Sequence, residues 1–147
     1  MSIPSRTPLI LDTSVLTAVA RGDADIIALV QEYDARGQPI VIPALAIAGA
    51  SLDIRSEEGD DLLAGLELLE VVTVAPLSGA EQASRLAHLV ARTGLDPWDA
   101  HVAAIADVAI CPILTLNAAK WEHASADLDD PLHIIEIADP GDQKPGK

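Results

Sequence analysis

Phenylalanine is absent from these 147 residues, and two tryptophans and one tyrosine are the only aromatics. A core must therefore be built from Leu, Ile, Val and Ala, which suits helices packed closely on an aliphatic sheet. Cysteine is almost as scarce. Cys111 stands alone, so it can form neither an internal disulfide nor a cysteine-based metal site, and it reads as a small buried hydrophobe. Long apolar runs are missing too, and the longest falls far short of the roughly 20 residues that span a bilayer. Arg6 precedes an apolar run, but Asp12 interrupts it, so no secretory leader is expected. These absences predict a soluble, cytoplasmic chain with no membrane partner. Positive charge is the last shortage: 9 Lys and Arg face 23 Asp and Glu, for a net charge of −14. Such a surface repels polyanions at long range, which excludes a broad basic groove for nucleic acid. It leaves room for a small acidic pocket holding a divalent cation, and it suits a basic protein partner.

What is present is alternation. Short apolar runs at Leu9–Leu11, Pro39–Ile42, Val71–Val74, Ile113–Leu116 and His133–Ile137 read as strands bounded by turn or charged residues. Helical patterns separate them. "DADIIALVQEYDAR" has apolar residues at three- and four-residue spacing and stops at Gly37, while "PALAIAGASLDIR" and "EEGDDLLAGLELLE" read as a helical pair. "SGAEQASRLAHLVARTG" opens on a capping box, Ser78 with Glu81, and stops at Gly94. "DPWDAHVAAIADVA" places Pro97 at a first helical position. Strands alternating with helices predict an α/β fold with a mostly parallel five-stranded sheet covered on both faces, and sites in such sheets form at the carboxyl ends of strands. One domain is expected over 1–137, followed by a disordered tail at 138–147 rich in Pro, Gly and charge.

Acidic and amide groups fall at those strand ends. Asp12 closes "LIL" with Thr13 and Ser14 beside it, Asp96 and Asp99 open the helix "DPWDAHVAAIA", and Asn117 follows "ILTL" with Thr115 nearby. Converging carboxylates and an amide would make a hard oxygen site for Mg²⁺ or Mn²⁺, and such an ion can polarise a phosphodiester and activate water. Each residue also has a plainer reading. Asp12 and Asp96 suit helix caps, Asp99 suits the positive end of a helix dipole, and Asn117 suits a turn. His101 lies about 200° around its helix from Asp99, so it packs or faces solvent. His88, His123 and His133 carry no spacing signal.

The order "LILDTSVL", "VIPALAIAGA", "LDPWDAHVAAIA", "ILTLNAAKW" resembles the PIN-domain family, with its VapC-like ribonuclease fold, from about Leu9 to Ile137. The resemblance implies a three-layer α/β/α sandwich and a metal-dependent ribonuclease, a family that includes the toxin halves of bacterial toxin–antitoxin pairs. It implies three or four acids around one or two Mg²⁺ or Mn²⁺ ions. Carried over, the first acid is Asp12, with Ser14 as polar neighbour, and the third is Asp99. The second position falls near Gly49 and the fourth at Asn117, so half of the acidic set is replaced. Asp96, about one turn before Asp99, is the best substitute, and Asp53, one turn past Gly49, could hold only a metal-bound water. Gly49 marks either close helix packing or a position released from its former duty.

The expected function is hydrolysis of RNA phosphodiesters by a reduced acidic centre. Asp12, Asp99 and Asp96 would be catalytic, these three with Asn117 would hold Mg²⁺ or Mn²⁺, and Ser14 and Thr115 would support them. The alternative is a PIN-fold module, weak or inactive in catalysis, that acts by binding RNA or protein. RNA, a basic antitoxin-like protein and a second copy of the chain are the expected partners. Receiver and dehalogenase-like phosphoryl-transfer readings fit poorly, because Ser14 stands where the latter needs an acid.

Overall fold

The computed structural model describes residues 6–128 and 130–137, so the expected tail at 138–147 lies outside the described residues. Twelve elements alternate along the chain: β1 (Leu9–Leu11), α1 (Thr13–Ala20), α2 (Ala24–Ala35), β2 (Ile40–Pro43), α3 (Ala44–Ile54), α4 (Glu57–Glu67), β3 (Val72–Ala75), α5 (Gly79–Thr93), α6 (Pro97–Ala109), β4 (Ile113–Thr115), α7 (Ala118–Ala126) and β5 (Ile134–Glu136). The five strands form one sheet in the order β3-β2-β1-β4-β5, and every neighbouring pair is parallel. The fold is the expected α/β/α sandwich. Strand order reverses between β1 and β4, and the crevice outside their carboxyl ends is where such sheets bind ligands.

All five expected strands form, with ends that move by a residue. Leu116 leaves the ladder because its N–H turns to the Ser14 hydroxyl at 2.9 Å, so β4 stops at Thr115. The capping box of α5 does not form: the Ser78 side chain makes no cap bond, and Gln82 Oε1 takes the Ser78 N–H at 2.7 Å. Gly37 and Gly94 do stop their helices in left-handed conformations.

The core is aliphatic, as the missing phenylalanines require. Ile10, Leu11, Val15, Leu16, Ile40, Ile42, Ile113 and Leu114 are fully buried around the central strands. The largest fully buried side chain is nonetheless aromatic, Trp121 on α7. Small residues let α3 and α6 approach: Ala46, Gly49 and Ala50 on one, Ala100 and Ala103 on the other, are all buried. Cys111 is buried, and His101 is buried with Nδ1 accepting the Leu45 N–H at 3.3 Å, which ties α6 to the start of α3. Burial lowers the His101 pKa despite the opposing effect of the Pro76 carbonyl. No helix among the described residues is long and apolar enough to cross a membrane.

One strained residue closes α6. Ile110 sits in the left-handed region at φ 54 and is 72% exposed, so a β-branched side chain occupies a glycine-type cap without packing in return. That conformation costs a non-glycine residue roughly 1–2 kcal/mol, and glycine's greater unfolded-state freedom offsets about 0.5–1 kcal/mol of it. Ile110→Gly should therefore stabilise the protein by about 0.5–1 kcal/mol in urea denaturation.

Candidate active site

Asp12 ends the central strand and starts α1. Its backbone is the N-cap, and Oδ1 accepts from the Val15 N–H at 3.1 Å, so capping and site placement coincide in one residue. The carboxylate is completely buried. Four donors meet its two oxygens. Besides Val15, the Ser14 hydroxyl donates to Oδ1 at 2.6 Å and the Trp121 indole N–H donates to Oδ2 at 2.8 Å. The fourth is Lys120, whose Nζ lies 3.4 Å from Oδ2.

The same ammonium lies 3.2 Å from Asp99 Oδ2. Asp99, in the first turn of α6, is also buried, and its Oδ1 has no hydrogen bond. The Thr13 hydroxyl is buried and without a hydrogen bond as well, though near enough to Asp99 to favour its charged form. Burial dominates and raises the Asp99 pKa above the usual 3.8; Lys120 and Thr13 oppose that rise and the Asp12 charge adds to it. Lys120 is held from below, since its stem leaves α7 beside the Trp121 ring, 5.1 Å from Nζ to the centroid.

Thr13, Ser14, Asp99 and Lys120 line a cleft of about 630 Å³ at the sheet's reversal point, together with Arg21, Asp53, Asp96 and Trp98, while Asp12 lies fully buried behind them. Asp96 is exposed at its mouth and makes no side-chain cap bond, although its carbonyl accepts the Ala100 N–H at 2.8 Å. Asn117 is exposed and directed elsewhere: its Oδ1 accepts the Lys120 N–H at 3.4 Å as the cap of α7. Ser14 and Thr115 are brought together, their hydroxyls 3.3 Å apart. Gly49 lines the cleft too, and the reason for a glycine is visible. A Cβ there would stand 2.5 Å from Trp98 Cγ, so the indole fills the space that a side chain on α3 would need.

A family model for the PIN domain matches residues 9–125. The chain belongs to the PIN-domain family. No curated protein matches it. Among solved structures, this PIN domain is similar to VapBC2 from Rickettsia felis bound to a DNA fragment from its promoter, at 14% identity and a TM-score of 0.61, over 89% of this chain and 99% of that one. It is also similar to PAE2754 from Pyrobaculum aerophilum, at 17% identity and a TM-score of 0.55, over 87% and 83% of the two chains. Both likenesses are of fold.

PIN domains generally depend on divalent metal, which needs several carboxylate oxygens free to turn toward one ion. Asp12 has both oxygens engaged, Asp99 has one free oxygen, Trp98 packs on Gly49 and Asn117 caps a helix. No three His, Cys, Asp or Glu side chains among the described residues gather as a metal centre. With Lys120 between the two buried carboxylates, this PIN domain's side chains do not fit a divalent ion. Sequence reasoning placed Thr13 beside Asp12 and counted Lys120 among a few local cations that could meet RNA, but it gave neither of them, nor Trp121, a part in the centre. Lys120 did carry a signal, being the only lysine before the C-terminal tail.

Two outcomes are expected. Trp121→Phe keeps the ring and removes a donor from a buried carboxylate, which should cost about 1–3 kcal/mol in urea unfolding at neutral pH. The raised Asp99 pKa has a definite sign: its stabilising contribution is complete below the unfolded value of 3.8 and is lost as pH rises through the higher native pKa. The stability of wild type minus that of Asp99→Asn should therefore fall across that window and then level off. A difference independent of pH would contradict the assignment.

Proposed function

We propose that this PIN domain works by binding rather than by hydrolysis, as the partner of a basic, antitoxin-like protein. The observation that carries this reading is the Lys120 ammonium within 3.4 Å of Asp12 and 3.2 Å of Asp99, where a nuclease of this family would need an exchangeable cation. The surface supports it. A groove between α4 and helices α1 and α2 has an apolar floor of Val19, Ile27, Val30, Leu66 and Leu69. Asp61 of α4 lines it as well, and the chain's net charge is −14. An amphipathic helix with lysine or arginine along its polar face complements both features. VapBC2, the similar structure from Rickettsia felis, was solved with promoter DNA, and the family includes the toxin halves of toxin–antitoxin pairs.

A second reading, a Mg²⁺- or Mn²⁺-dependent endoribonuclease, is favoured by the free Oδ1 of Asp99 and the uncommitted Asp96 carboxylate at the cleft mouth. There Asp12, Asp99 and Asp96 would hold the ion, with Asn117 turned inward, and RNA phosphate would reach the site through it. Single-stranded RNA incubated with Mn²⁺ or Mg²⁺ separates the two. Wild type should cleave no faster than Asp12→Ala. Metal-dependent cleavage that is present in wild type and lost in Asp12→Ala would replace the first reading with the second.

A further inference from the structure

Lys120 stands between two buried carboxylates that come from different elements. A buried carboxylate pair cannot stay charged and uncompensated, because isolated charges are costly to remove from water. Here the compensation is covalently attached. The Lys120 ammonium reaches Asp12 from β1 and Asp99 from α6 while standing on α7, and its side chain is 22% exposed at the cleft. Its backbone cannot drift. Asn117 Oδ1 accepts the Lys120 N–H, Glu136 Oε2 accepts the Ala118 N–H at 3.0 Å, and the neighbouring Trp121 is fully buried and bonded to Asp12.

We propose that Lys120 is the resident cation of this centre, a tethered ammonium that bridges Asp12 and Asp99, offsets one of their two charges and keeps divalent ions out. The proposal rests on the reading that the centre is not hydrolytic, and it assigns that property to one side chain. The physics is competition. A tethered group acts at an effective concentration in the millimolar range or above, whereas a divalent ion offered two carboxylates binds weakly without substrate oxygens. The tethered charge wins. What it leaves behind is still a cation site in form, because Asp99 Oδ1 and Thr13 Oγ1 are buried against the cleft with no hydrogen bond. Removing the ammonium should therefore open the site rather than only damage it.

The test is a Mn²⁺ titration of the full chain, followed by the electron paramagnetic resonance of free Mn²⁺ and by thermal melts. Lys120→Met keeps the apolar stem and removes the charge. It should take up one Mn²⁺ at least tenfold more tightly than wild type and gain melting temperature with Mn²⁺, where wild type gains none. Lys120→Arg retains a cation and should behave as wild type does. If Lys120→Met is unfolded alone, folding on addition of Mn²⁺ supports the proposal, and failure to fold at saturating Mn²⁺ overturns it. Equal Mn²⁺ affinity in wild type and folded Lys120→Met overturns it as well. The two readings fail separately. Wild type that binds Mn²⁺ as tightly as the variant but cleaves no RNA removes the tethered-cation role alone, while metal-dependent cleavage by wild type removes the non-hydrolytic reading.

Discussion

A charged carboxylate at zero exposure, in the middle of an aliphatic core, is the constraint around which this protein is arranged. Asp12 needs donors on every side, and it draws them from separate parts of the chain. Val15 and Ser14 come from its own helix, and Trp121 and Lys120 from α7. The Ser14 hydroxyl that serves Asp12 also accepts the N–H of Leu116, so satisfying the acid fixes where β4 ends. Lys120 then brings in Asp99 and with it the first turn of α6. Strand order, helix caps and the largest buried side chain thus share one electrostatic requirement. Removing any single partner would leave a buried charge short of a bond, which is far more costly than never having buried it.

Membership of a nuclease-type family does not by itself fix the chemistry of the crevice. Fold and chemistry are separable: a sheet with a reversal point supplies a crevice, and the side chains decide what happens in it. In this crevice Trp98 packs on Gly49, Asn117 is committed to α7, and the remaining acids are bridged internally. Each of these contacts engages a polar group or fills space at the cleft. Together they turn a polar pocket toward structural cohesion.

Much of this was legible in the sequence, for identifiable reasons. Strands such as Leu9–Leu11 and Ile113–Thr115 are buried on both faces, so they appear as unbroken aliphatic runs. The placement of Asp12 and Asp99 was legible because strand ends and helix starts are set locally. Side-chain direction was not. Asn117 and Asp96 both sit at helix starts, yet one amide bonds back to its helix and the other carboxylate stays free, a difference decided by neighbours rather than by sequence spacing. The bridging position of Lys120 was the least legible feature, since it depends on three elements converging. Gly49 admitted two readings, and only the crossing of α3 and α6, with Trp98 above it, selects close packing.

The Asp12–Trp121 bond spans 109 residues. Contacts so distant in sequence form late, because the long loop between them must close first. Synthesis delivers the first strand long before the indole and ammonium that satisfy its carboxylate. Without α7, Asp12 would lack two of its four donors. The carboxylate that ends the first strand is therefore satisfied only by α7, the last helix among the described residues.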